Sequence, residues 1–106
     1  MFKLKFSEYI YGDVESSVKY IKNDLKNPIA SQRLKDEVVS AYKKIKLNPL
    51  IYPAVPIEYL AERGFKFCMV KNYMLFFKVK TDEKIVNIER FLYGPRDWIT
   101  ILKNMK

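Results

Sequence analysis

Between Gly64 and Trp98 the chain reads GFKFCMV-KN-YMLFFKVK-TDEK-IVNIERFLYG-PRDW, three short apolar runs parted by two polar turns. Phe65, Phe67 and Met69 alternate with Lys66, Cys68 and Val70 before a turn at Lys71-Asn72. Tyr73, Leu75, Phe77 and Val79 then alternate with Met74, Phe76, Lys78 and Lys80, and the chain turns again at Thr81 to Lys84. Val86, Ile88, Arg90 and Leu92 share one face of the last run. A period of two with short turns predicts an antiparallel meander of three strands. Upstream, residues 3 to 11 alternate loosely and predict a first strand that Gly12-Asp13 breaks. Asp13 is the expected N-cap of a helix carrying Val14, Val18, Ile21 and Leu25 on one face and ending near Lys26. Asn27-Pro28 starts a second helix, a capping side chain followed by a proline whose missing N–H is not needed there. Its apolar face is Ala30, Leu34, Val38, Ala41 and Ile45, and the short junction folds the two helices into an antiparallel hairpin.

Pro49, Pro53 and Pro56 make residues 47 to 62 an extended connection, with Tyr52, Val55 and Leu60 as its anchors to the core. Asp97 is a cap for a short last helix over residues 97 to 104, with Trp98 packed on the sheet. The order is thus β-α-α-β-β-β, an α+β fold in which the hairpin covers one face of an antiparallel sheet. The other face is left open, or shielded only by the C-terminal segment.

Composition narrows the function. A chain of 106 residues builds one domain spanning 1–106, and its 49% apolar and 15% aromatic content argues against disorder. Twenty Lys and Arg against twelve Asp and Glu give +8, which favours a nucleic-acid, phosphate-rich or acidic-peptide partner over a merely solvated lysine surface. Cys68 is the only cysteine, so no internal disulfide forms and the thiol reads as a small buried hydrophobe. With no histidine, neither a Cys-His nucleophile nor a zinc site is expected. The three glycines are scattered singly, so there is no phosphate-cradling loop, and no cofactor is implied. Glu58 and Glu62 alone do not make a paired-carboxylate site. The first residues lack a signal-peptide core and no run approaches a membrane span, so a cytoplasmic protein without a membrane partner is expected.

Charge concentrates in the sheet half: residues 64 to 106 carry nine basic and four acidic side chains. Lys66, Lys71, Lys78, Lys80, Arg90 and Arg96 are the candidates for handling an anion. Arg90 sits between the apolar Ile88 and Leu92 and needs an anion or an internal carboxylate, with Glu62 or Asp97 in reach and Glu89 pointing away. Tyr93 ends the strand, and Gly94-Pro95 turns the chain to present Arg96. Tyrosine there suits stacking on a base, protonating a leaving oxygen, or closing the rim of the core. Phe76, Phe77 and Phe91 read as core rather than as a stacking platform.

The phrases DLKNPIASQRL, GFKFCMVKNYMLFFKV and VNIERFLYGPRDW, in this topology, resemble the RelE/ParE superfamily of toxins from bacterial type II toxin–antitoxin systems, the plasmid-stabilisation family, over nearly the whole chain. The resemblance implies a RelE-like fold with a basic concave sheet face and a cognate antitoxin, encoded nearby, that covers the toxin with an acidic segment. It also implies one of two targets. RelE-like and YoeB-like members cut mRNA on the ribosome, whereas ParE-like members poison DNA gyrase. Lys66 lies where the nucleases usually carry an arginine, and Arg90 and Tyr93 resemble the last-strand arginine and terminal tyrosine of YoeB-like members. Leu92 replaces the histidine found there; Arg96 resembles the arginine after RelE's final strand, but Leu102 stands where a tyrosine would follow. The resulting expectation is a toxin that inhibits translation as a metal-independent endoribonuclease, with Lys66, Arg90, Tyr93 and Arg96 catalytic and Lys71, Lys78 and Lys80 binding nucleic acid. The alternatives are a gyrase inhibitor without nuclease activity and an inactive antitoxin-binding homologue. The ribonuclease further requires that Lys66, Arg90 and Arg96 gather beside Tyr93 on the uncovered side of the sheet.

Overall fold

The computed structural model describes residues 1–105. Strand β1 is Lys3–Phe6, and helix α1 is Ile10–Lys19, which runs into a π-helical turn at Tyr20–Asp24. Helix α2 is Pro28–Leu47, followed by a 3₁₀ turn at Pro49–Ile51 and helix α3 at Glu58–Glu62. Strands β2, Lys66–Val70, β3, Tyr73–Lys80, and β4, Ile85–Tyr93, form the meander, and α4 is Trp98–Lys103. The α+β class and the helical hairpin agree with the sequence. The first strand is shorter than the expected 3 to 11, and residues 47 to 62 hold two short helical turns rather than a wholly extended connection.

The sheet runs in the order β1-β4-β3-β2. The meander is antiparallel, but β1 pairs parallel to β4. The sheet is therefore mixed, which corrects the all-antiparallel expectation. The hairpin between β1 and β2 carries the chain back across one face, so the last strand returns beside the first in the same direction.

Both faces bury side chains. On the hairpin face Ile10, Val18, Leu34, Val38 and Ile45 pack against Val70, Leu75, Phe77, Val86, Ile88 and Phe91. On the opposite face Val55, Leu60 and Leu102 close over Phe65, Met74, Phe76 and Leu92, and Trp98 tilts against Phe76 at 5.3 Å. Val55 and Leu60 anchor the connection as expected, and Tyr52 stands edge-on to Phe77. Asp97 Oδ1 accepts from Thr100 N at 3.2 Å, the expected cap, and Asn27 caps α2 through Ala30 N at 3.0 Å.

The register of β3 and β4 steps from Phe76↔Arg90 to Phe77↔Ile88, leaving Glu89 as an extra residue in a bulge. Val86 and Ile88 face the hairpin, and beyond the bulge Phe91 takes that role while Leu92 enters the opposite layer. One continuous face holding Val86, Ile88, Arg90 and Leu92 is thus not what forms.

At this bulge β4 has lost its neighbour, because β1 ends at Phe6. Ser7 continues the edge by donating its N–H to Ile88 O and its hydroxyl to Glu89 O. Asp13 then takes over. Its carboxylate accepts from Arg90 Nε at 2.7 Å, from a terminal guanidinium nitrogen of Arg90 at 2.8 Å, and from Phe91 N at 3.0 Å. Asp13 is thus not the helix cap expected of it; α1 starts earlier, after Tyr9. It is also the carboxylate that Arg90 needs, in place of Glu62 or Asp97. The Asp13 and Arg90 side chains are only 10% and 14% exposed, and the Tyr9 ring covers the guanidinium at 4.6 Å. A forked, largely desolvated ion pair of this kind is costly to break from one side.

Asp13→Ala is expected to destabilise the fold by about 3–5 kcal/mol, since it strands a buried guanidinium. Asp13→Ala combined with Arg90→Met should recover only part of that loss, because the Phe91 N–H still lacks an acceptor. Chemical denaturation of the single and double variants checks both.

Candidate functional site

The hairpin and the sheet diverge where β3 begins and β4 ends, and a cleft of about 690 Å³ opens between them. Ser16, Ser17, Tyr20, Ile21 and Leu25 line one wall, and Ala30 and Leu34 of α2 extend it. The floor is aromatic: Tyr73 and Phe91 stack at 4.7 Å with an interplanar angle of 11°, and Tyr93 meets Tyr73 edge-on at 5.5 Å. Lys71, Asn72 and Arg96 form the polar rim.

Local geometry fixes this rim. Tyr73 lies directly opposite Tyr93 in the ladder, which sets the β2–β3 turn beside the end of β4. Lys71 adopts a left-handed backbone, φ 56°, to make that turn. Gly94 N donates to Asn72 O at 2.7 Å, and a Cβ at Gly94 would stand 3.0 Å from that oxygen, so a glycine lets the two turns touch. Arg96 N donates back to Tyr93 O at 2.9 Å, closing the turn that presents the arginine as the sequence suggests.

Of the residues singled out in the sequence, Tyr93, Arg96 and Lys71 meet at this cleft; Tyr93 is 47% exposed, and Lys71 also approaches Glu37 at 3.5 Å. Lys66 lies elsewhere. Its Nζ donates to Tyr52 O at 2.8 Å, and its partner Phe77 is four residues, roughly 13 Å, along β3 from the Tyr73 end. Arg90 is held by Asp13. Lys78 and Lys80 occupy the far end of β3. The expected gathering of Lys66, Arg90 and Arg96 around Tyr93 on an uncovered sheet face is therefore not what the fold builds.

The cleft itself has little signature in the sequence. Leu25 shares the helical spacing of Val14, Val18 and Ile21, yet it is 56% exposed at the cleft. The cause is the π turn, where Leu25 N reaches back to Tyr20 O and Asn27 N to Ile21 O. The wider turn shifts the stripe past its core position.

Chemically the cleft is an apolar throat with two cations at its lip, suited to gripping an apolar anchor beside carboxylates. Among the described residues, no three histidine, cysteine or carboxylate side chains gather to hold a metal. Behind α2 a second, smaller cleft contains Cys68 and Lys44. Burial pushes the Cys68 thiol up to about 11, with Lys44 drawing it partly back. Alkylation of Cys68 at pH 8 is accordingly expected to run roughly 100-fold slower than that of a free cysteine, following the thiolate fraction, and to reach the free rate on unfolding. A timed iodoacetamide reaction read by mass spectrometry checks it.

The model of the family described as the ParE toxin of type II toxin–antitoxin systems, parDE, matches residues 4–98. No curated protein matches the sequence. Among solved structures, the chain is similar to one from the chromosomal ParDE toxin–antitoxin system of P. aeruginosa, with a TM-score of 0.69 and 18% identity over 88% of this chain and 96% of that one. At that identity the likeness is one of fold. The family match over almost the whole length decides the matter: this chain belongs to the ParE toxin family.

Proposed function

We propose that this protein is a cytoplasmic toxin that inhibits DNA gyrase by binding it, without cutting RNA, and that its cognate antitoxin silences it from the cleft beside the junction of the helical hairpin. The observation that carries this reading is the commitment of Arg90 to Asp13. RNA cleavage through the ribose 2′-OH needs a cation free to meet the phosphate and a proton carrier within hydrogen-bond reach of the reacting oxygens. Arg90, which resembles the last-strand arginine of the nucleases, already carries a bidentate carboxylate, and Lys66 donates to a backbone carbonyl. Leu92 stands in the histidine position. A toxin that works by occupying its target needs none of these groups. The family supports the same direction, since ParE-like members act on gyrase.

The cleft's chemistry supports that place for the antitoxin. Exposed Tyr20 and Leu25 beside the stacked Tyr73 and Phe91 would receive apolar side chains, and Lys71 and Arg96 would meet flanking carboxylates. An acidic segment that folds as it docks fits that surface.

The purified chain is expected to block supercoiling by gyrase and trap cleaved DNA, while message in a translating extract stays intact. Cleaved message with normal supercoiling would instead restore the ribosome-dependent nuclease expected from the sequence. Leu25→Glu with Arg96→Glu should weaken antitoxin capture at least tenfold in a titration, because a buried contact and a charge pair are both lost.

A further inference from the structure

The α3 and α4 layer covers only the Met74, Phe76 and Leu92 end of the sheet. At the other end the same face is bare. There the register places Lys3 beside Ile85 and Ile85 beside Lys80, and Lys5 beside Asn87 and Asn87 beside Lys78. Residues directly opposite in a ladder share a face, so four lysines from β1 and β3 stand on one side. Leu4, Val79 and Val86, which alternate with them, pack into the hairpin core on the other. The four form a grid, about 7 Å along each strand and about 10 Å across the two strand spacings. Lys3, Lys5 and Lys80 are exposed and Lys78 half-buried.

Arg63 adds to this field. Its guanidinium and Lys78 Nζ both lie over the Phe65 ring, at 5.4 and 4.3 Å from its centre. Arg63 spends its N–H groups on the carbonyls of Leu102, Lys103 and Met105, so it contributes charge rather than contacts. Against these stand half-buried Glu89 and exposed Glu83, the latter 3.9 Å from Lys80. Lys78 is held below the ordinary lysine range, first by burial and then by Arg63 and Lys80, with Glu89 acting the other way. Positive charge is crowded here beyond what the chain's own carboxylates offset.

We infer that this lysine grid is a docking surface for the phosphate backbone of duplex DNA. The surface is a pleated stretch of sheet on which half-buried Ile85 lies between Lys3 and Lys80, so an acidic peptide would find little apolar anchorage on it. Phe65 is 1% exposed beneath Arg63 and Lys78, so no ring is offered for stacking the bases of a single strand. Rigidly spaced point charges without base-reading groups suit backbone contact that is independent of sequence. The inference rests on the placement of the lysines and not on the gyrase reading, and the two are tested apart.

Fluorescence anisotropy of the purified chain with a DNA duplex of about 20 base pairs tests it. Four phosphate contacts give a salt slope near −3.6, so affinity should fall about 100-fold between roughly 50 and 200 mM salt. Replacing the grid as Lys3→Gln, Lys5→Gln, Lys78→Gln and Lys80→Gln should weaken binding at least tenfold and flatten the slope. Lys22→Gln, Lys43→Gln, Lys44→Gln and Lys46→Gln together remove the same charge from the helical hairpin and should keep most of the affinity. Because Lys78 packs on Phe65, the exposed pair Lys3→Gln and Lys5→Gln is measured alone as well and should halve the slope. Equal losses in the two four-lysine sets, no salt-dependent duplex binding, or preference for single-stranded RNA would each overturn the inference. So would a grid variant that binds duplex normally but no longer captures an acidic antitoxin segment. Supercoiling inhibition by the same variants is scored separately, so a gyrase inhibitor that ignores free DNA is told from a chain that inhibits nothing.

Discussion

One carboxylate holds the open end of this molecule together. Asp13 projects from the first turn of α1 and accepts three hydrogen bonds at the point where β4 has bulged and its parallel neighbour has ended. It does two tasks at once. It neutralises a guanidinium that the apolar surroundings would otherwise penalise, and it satisfies the Phe91 N–H where a strand would have done so. In doing so it ties the helical hairpin to the last strand near the floor of the cleft. Phe91, whose backbone it holds, carries the ring on which Tyr73 stacks. The shape of the cleft thus follows from an ion pair at its inner wall.

The same pair explains where function can reside. An arginine on the last strand of this fold reads as an anion handler from sequence alone, and its environment reverses that reading. Charge that is spent internally stabilises the scaffold; charge left unspent is available for partners. Arg96 at the cleft and the exposed lysines of β1 are such groups, and Lys71 and Lys80 face Glu37 and Glu83 only across solvent-exposed pairs that a partner can displace. The two surfaces lie at opposite ends and on opposite faces of the sheet. A partner seated in the cleft would therefore leave the lysine face uncovered.

Much of the architecture was legible in the sequence because local periods carry it. Alternation placed Tyr73, Leu75, Phe77 and Val79 on the hairpin face, and Asn27-Pro28 and Asp97 marked helix starts that the structure uses. What stayed hidden was non-local or aperiodic. Nothing in residues 3 to 6 tells that their partner is β4 or that the pairing is parallel; that follows from closing the chain. Glu89 has no local mark of a bulge, and the bulge alone reverses the faces of Arg90 and Leu92 expected from strict alternation. Leu25 keeps helical spacing while a π turn carries it into the open. Asp13 has the position of an N-cap in every local respect, and only the edge of β4, 77 residues away, gives it other work. The cations were legible as a population and illegible as a cluster, since identity is written in the sequence and convergence in the topology.

The parallel pairing of β1 with β4 sets an order of events during synthesis. Ser7 meets Glu89 across 82 positions of chain, and the Asp13 clasp spans almost as many. A nascent chain still tethered to the ribosome has its first strand and hairpin but not the strand they close upon. Contacts at such separations come late and slowly in folding. The cleft therefore takes shape only once β4 has been made, and a growing chain lacks both its aromatic floor and its clasp until then.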